Sequence, residues 1–195
     1  EKPKAAEPQE PTFLNEGLVA YYPFNGDAKD ESGNGNDGKT AQDLKFAEGR
    51  NGKQGHAAFL NGISDSINCG KNKILFPEDK ISISAWISST DSRGWIVSKW
   101  NDVSGYTQTY GLILENGKPI FWLNGETNSF DDLNLKAEKF IGDGEWHHVI
   151  ATWDKMAGEN NMKIYIDGVL AAQKTTPARD LTTKSSDVLI GGSAG

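Results

Sequence analysis

Asp143-Gly144-Glu145-Trp146-His147-His148-Val149-Ile150-Ala151-Thr152-Trp153-Asp154 decides how this chain is read. Asp-Gly opens it as a turn dipeptide. The aromatic and β-branched run that follows suits a pleated surface, which predicts a strand. Alternation places His147, Val149, Ala151 and Trp153 on one face and Trp146, His148, Ile150 and Thr152 on the other. Both faces carry apolar bulk, as expected inside a two-sheet sandwich. Just downstream, Met162 to Ala172 reads as a tight hairpin about Asp167-Gly168, a pair able to supply the positive φ angles of a primed turn. Asn116-Gly117 gives the same signal between Tyr110–Leu114 and Pro119–Leu123.

Upstream, Leu18–Phe24, Ala57–Leu60, Ile63–Cys69, Ile81–Ile87 and Trp95–Trp100 read as further strands. In the segment Ile81–Ile87 the expected core face is Ile81, Ile83, Ala85 and Ile87, with Ser82, Ser84 and Trp86 opposite. Residues 124–140 predict a short outer strand or a long loop, and Val188–Ile190 a late strand. No segment has convincing helical spacing and caps. The fold class expected is all-β, an antiparallel two-sheet β-sandwich.

The composition agrees. The 195 residues fit one domain, and six Trp, eight Phe and five Tyr supply its core. Twenty-two Gly and seven Pro suit many turns. A formal charge of −7 argues against nonspecific binding to nucleic acid or to an anionic membrane surface. No apolar run is long enough to cross a bilayer, so membrane insertion by this domain is not expected. The lone Cys69 allows no intrachain disulfide and reads as a small buried hydrophobe. Residues 1–15, with Pro3, Pro8 and Pro11 among charges, cannot bury enough surface to offset their ordering entropy; they read as a flexible linker before a domain at 16–195.

The phrase D-G-x-W-H-H-V-x-x-T-W-D at 143–154, followed by K-I-Y-I-D-G-V-L-A at 163–171, resembles the bacterial laminin-G-like jelly-roll family of the concanavalin A-like lectin/glucanase superfamily. Gly17 to Gly38 is similar to that family's N-terminal signature, and Ile81–Ile87 to its middle. The resemblance implies a jelly roll. It also implies a further strand of the type F-x-G-x-I-D-E-V-R-I-Y after a glycine pair such as Gly191-Gly192. No such strand follows here, so a domain lacking its last strand, with an unpaired sheet edge, is expected.

Three kinds of chemistry are open to such a chain. The loop Asn25–Gly38 is rich in carboxylates, amides and glycines. That is turn chemistry, but also the oxygen donor set of calcium. Family members often hold a structural calcium near this loop, which makes Asn25, Asp27 and Asp30 the expected ligands. A glycoside hydrolase needs two carboxylates flanking one bond. The laminarinase run E-x-D-x-x-E is absent. Glu145 has no partner two residues away, and the adjacent Asp131 and Asp132 would face opposite sides of a strand. Likewise His147 and His148 project to opposite faces and cannot chelate one zinc, with His56 and Cys69 as the other soft or imidazole donors.

The third kind is binding. Sugars stack on Trp and Tyr while amides and carboxylates fix their hydroxyls. The candidates are Trp100, Asn101, Asp102, Tyr106, Tyr110 and Trp122. The function expected is a noncatalytic binding module of an exported bacterial protein, extracellular, cell-surface or periplasmic. Its ligand is a glycan. The alternatives are an extracellular protein ligand, as in an adhesion or structural module, and, behind both, a glycoside hydrolase.

Overall fold

The computed structural model describes residues 15–41, 43–100, 109–125, 133–181 and 186–192. Thirteen strands carry it: β1 Lys39–Thr40, β2 Lys45–Ala47, β3 Ala57–Phe59, β4 Ile67–Gly70, β5 Lys80–Ile87, β6 Arg93–Lys99, β7 Tyr110–Glu115, β8 Lys118–Leu123, β9 Asn134–Lys136, β10 His147–Asp154, β11 Met162–Ile166, β12 Val169–Lys174 and β13 Val188–Ile190. Seven form one sheet in the order β1-β4-β13-β6-β7-β8-β9, four form a second in the order β12-β11-β10-β5, and β2 and β3 pair apart. Every pairing is antiparallel. A single-turn 3-10 segment at Lys73–Leu75 joins β4 to β5.

The 143–154 stretch forms β10, flanked by β5 and β11. Its register sets Val149, Ala151 and Trp153 between Ala85, Ile83 and Ile81 on one side and Ile166, Ile164 and Met162 on the other. These β10 and β11 side chains are at most 1 % exposed. They meet Leu112, Leu114, Phe121 and Leu123 of the seven-stranded sheet in one core. The all-β sandwich is therefore the fold, with core and solvent faces assigned by strand alternation. Only one face of β10 is core, however. His148, Ile150 and Thr152 lie on the outside of their sheet, and His147, at the strand's end, keeps to its edge. The indole N–H of Trp153 donates to Thr176 Oγ1 at 2.9 Å, which removes the cost of burying it.

Both hairpin signals hold. Asp167 and Gly168 take φ of 54° and 79°, Asn116 and Gly117 of 52° and 68°. Such angles fit a two-residue primed turn and fix the registers Ile166↔Val169 and Glu115↔Lys118.

Two expectations need correction. Among the described residues Leu18–Phe24 joins no sheet ladder. The Tyr21 N–H is taken by the Asp30 carboxylate at 2.9 Å rather than by a neighbouring strand, and Phe24 turns the chain at φ 55°. The segment still packs Ala20, Tyr22 and Phe24 against the core. Residues 39–55, which are polar and Gly-rich with little periodicity in the sequence and so read as an irregular connection, contain β1 and β2, which pair with β4 and β3. Residues 124–140 supply the short strand β9. Among the described residues β5 pairs with β10 alone. Its inward Ile81, Ala85 and Ile87 are only half-buried, whereas Val149 and Trp153 across the register are closed off. Most of the 1–15 linker, residues 1–14, lies outside the described residues.

Lys99 ends β6 inside the protein. It is fully buried, its ammonium donates to the Ser186 carbonyl, and it sits 3.6 Å from the Phe76 ring centroid. Burial pushes its pKa down to about 8, against a smaller upward pull from Asp187. Between that value and the ordinary 10.5 the unfolded chain binds more protons than the folded one, so stability rises with pH there. Urea melts from pH 8 to 9.5 are expected to show the wild type gaining on Lys99→Met. The full gain approaches about 3 kcal/mol over the whole window. A pH-independent difference between the two proteins would contradict a desolvated ammonium.

Candidate functional site

The outward face of the seven-stranded sheet also carries aromatic side chains. Leu112, Leu114, Phe121 and Leu123 point inward, so Gly111, Ile113, Ile120 and Trp122 point out. Gly111 stands opposite Trp122 on one side and Ser98 on the other. Having no side chain, it leaves a hollow that the Trp95 ring occupies. A Cβ at Gly111 would lie 2.4 Å from Trp95 Cζ3. The register shift between Trp95 and Val97 re-aims that indole outward, as β-bulges do.

Three indoles meet there. Trp95 lies 5.5 Å from Trp100 and 6.3 Å from Trp122, the latter edge-on at 88°. Trp100 and Trp122 are 5.3 Å apart. Trp95 and Trp122 keep part of their surface exposed, while Trp100 is 4 % exposed beneath them. One ladder step beyond Trp122, the Asn124 N–H donates to the Thr109 carbonyl at 2.9 Å, and the Thr109 N–H donates to Lys99 O. Trp100, Thr109 and Asn124 thus form the next row of the same face.

Of the residues expected to bind, Trp100 and Trp122 come together. Asn101, Asp102 and Tyr106 lie outside the described residues. Tyr110 points the other way, into the core, and its hydroxyl donates to Leu75 O at 3.3 Å. Burial raises its pKa and leaves no ring face for a ligand. Trp95 is the partner that sequence reasoning missed. The signal was Gly111, because a glycine inside an apolar strand marks a close approach.

Other groups are committed elsewhere. Asp30 is 9 % exposed and accepts the N–H groups of Tyr21 and Ser32 on Oδ1 and of Asn36 on Oδ2, each at 2.9 Å. Burial pulls its pKa up, but the Ser32 hydroxyl and these amides outweigh that and hold it low. Asn25 and Asp27 are exposed, and Asp27 faces Lys29 at 3.5 Å. No cluster of three acidic, His or Cys side chains suited to a metal occurs among the described residues. The Asn25, Asp27 and Asp30 set therefore does not fit calcium in this arrangement, because its one buried carboxylate is already saturated by amides. His147 likewise bridges Asp167 at 2.9 Å and Asp143 at 3.1 Å, and Asp167 also holds Lys139 and the His148 N–H. Burial alone would lower the His147 pKa, but the two carboxylates raise it. Cys69 is a buried thiol pushed up to about 11 by burial, unsuited to nucleophilic work.

Two further surfaces lie apart from the indoles. A cavity of about 430 Å³ is lined by Asn36, Asp37, Lys39, Asn68, Lys71 and Asp187, among others. Asn36 Oδ1 is buried and unpaired there, but the described walls offer no aromatic ring. On the outer face of the four-stranded sheet, Trp86 stacks on His148 at 4.8 Å and lies 4.4 Å from the Arg50 guanidinium. Those neighbours share the Trp86 ring, which stays 45 % exposed.

Residues 61–195 match the laminin G family model of the concanavalin A-like lectin/glucanases superfamily. The chain belongs to this family. Among solved structures, it is similar to the binding domain of Paraclostridial Mosquitocidal Protein 1, at 18% identity and TM-score 0.70, covering 92% of this chain and 46% of that one. It is also similar to the receptor binding domain of botulinum neurotoxin D, at 18% identity and TM-score 0.66, covering 91% and 45%. A third is domain 4 of AbnA, an extracellular arabinanase from Geobacillus stearothermophilus solved with arabinotriose, at 22% identity and TM-score 0.65, covering 91% and 84%. This laminin-G-like chain spans less than half of the two toxin domains. No curated protein matches it in sequence.

Asp30→Ala strips the partner from three amides, one of them the buried Asn36 N–H. It is expected to cost about 2–4 kcal/mol by urea denaturation. The carboxylate's stabilising contribution is present above the ordinary carboxyl range and is lost as pH falls below that range through the lowered native value. The wild-type melting temperature is expected to be equal in calcium and in chelator. A rise of several degrees with calcium would overturn the fit argument.

Proposed function

We propose that this laminin-G-like domain is a noncatalytic carbohydrate-binding module of an exported bacterial protein, working outside the cell, at its surface or in the periplasm. The observation that carries the reading is the set of three indoles on a sheet face away from the core. Ile113, Ile120 and Trp100 of this face are buried and Trp95 and Trp122 are its part-exposed rings, and flat indoles beside amides suit a sugar ring with its hydroxyls. Trp122 and Trp95 meet the ligand, and Trp100 props them from below. The arabinotriose complex of the AbnA domain supports a glycan on this fold. The noncatalytic part of the reading rests on the carboxylates: Asp30, Asp143 and Asp167 are engaged in holding loops.

A protein ligand is the second reading. It is favoured by the other sheet's outer side, where Trp86 and Leu170 are 45 % and 43 % exposed.

Glycan arrays followed by calorimetry test the first reading. Trp122→Ala is expected to weaken binding by roughly 10–100-fold, the value of one buried indole face. Gly111→Ala drives a methyl into the Trp95 ring and is expected to weaken binding with little loss of fold. Glycan binding unaffected by both changes would refute the location. Binding only to protein in pull-downs would favour the second reading, and turnover of a β-glucan would end the noncatalytic one.

A further inference from the structure

Asn124 is 0 % exposed, and neither Oδ1 nor Nδ2 has a hydrogen-bond partner among the described residues. Buried carboxamides are normally paired, since the interior offers no water to replace a missing partner. A leucine of similar volume would fill the position without that penalty. The amide is therefore retained against a local cost, and its surroundings indicate what for. Ile120, Trp122 and Asn124 alternate along one strand and share the outward face. Trp100 and Thr109 stand in the same row as Asn124, with the Trp95–Trp122 pair one row away.

Resting on the glycan reading above, we infer that Asn124 is the specificity-determining residue of this face, and that it selects sugars with two adjacent free hydroxyls. A carboxamide presents an acceptor and a donor side by side. One hydroxyl of a vicinal pair donates to Oδ1, and its neighbour accepts from Nδ2. The apolar face of the same ring then lies against Trp122. Asn124 is closed off in the unbound protein, so a ligand must open the position to reach the amide. A peptide backbone edge has the same donor–acceptor pattern, but three indoles beside it suit a flat sugar face better.

The test uses the full chain and two groups of probes. Linear arabinan and cello-oligosaccharides keep adjacent free hydroxyls on their internal sugars, whereas laminarin, linked through one of them, does not. Wild type is expected to prefer the first group over laminarin by at least about tenfold. Asn124→Leu is expected to abolish that preference while its melting temperature stays level or rises. Equal binding of laminarin and arabinan by the wild type would overturn the inference, and this arm needs no variant to fold. So would an Asn124→Leu protein that keeps the preference, or one whose melting temperature falls by several degrees, which would mean the amide has a structural partner. If Trp122→Ala weakens glycan binding while Asn124→Leu leaves it intact, the glycan reading survives and the role of Asn124 falls. If the wild type binds no glycan and captures peptide instead, both fall.

Discussion

The close packing of Val149, Ala151 and Trp153 against Ile164, Ile166 and the seven-stranded sheet holds this protein together. Those side chains leave water almost completely, and a two-layer fold has no other place to bury so much apolar area. Everything else is positioned by the registers this contact imposes. Because β10 is locked between β5 and β11, the opposing sheet must present Leu112, Leu114, Phe121 and Leu123 to it. Strand alternation then turns Gly111, Trp122 and Asn124 outward with no further choice. The core and the candidate binding face are two sides of one constraint.

Most of the fold was legible in the sequence because its signals are local. Asp167-Gly168 and Asn116-Gly117 dictate their turns through backbone angles of two adjacent residues. The division of Ile81, Ile83, Ala85 and Ile87 from Ser82, Ser84 and Trp86 follows from a period of two. The site was less legible because it is assembled across strands. Trp100 and Trp122 lie twenty-two positions apart, and only the β6-β7-β8 registers bring them together. Tyr110 is adjacent to that face in sequence and opposite to it in space, since one residue of strand reverses direction. Trp95 depends on a bulge, and its sequence signal, Gly111, lies on the neighbouring strand rather than beside it. Leu18–Phe24 misled for a different reason: its apolar residues do pack on the core, but a side-chain carboxylate replaces the neighbouring strand.

The acidic residues show how one side-chain type serves structure in one place and would serve chemistry in another. Asp30 gathers three amides, and Asp167 gathers a lysine, a histidine and an amide. Each closes a loop by accepting donors that would otherwise lack partners. A carboxylate so engaged is held ionised, which suits neither a general acid nor a cation that must displace its hydrogen bonds. The net charge of −7 is thus partly spent on fastening loops.

The two outer faces differ in how their aromatic groups are occupied. On the four-stranded sheet Trp86 is stacked with His148, whose ring nitrogen meets Ser84 Oγ at 2.8 Å, and Arg50 lies against it. That cluster is complete in itself. On the seven-stranded sheet the indoles of Trp95, Trp100 and Trp122 meet one another, and Asn124 beside them has both amide atoms unsatisfied among the described residues. Local stability would favour an apolar residue there. A sheet that keeps a hydrogen-bonding group at the cost of stability, next to flat rings, is arranged for a molecule that supplies both a flat face and hydroxyls.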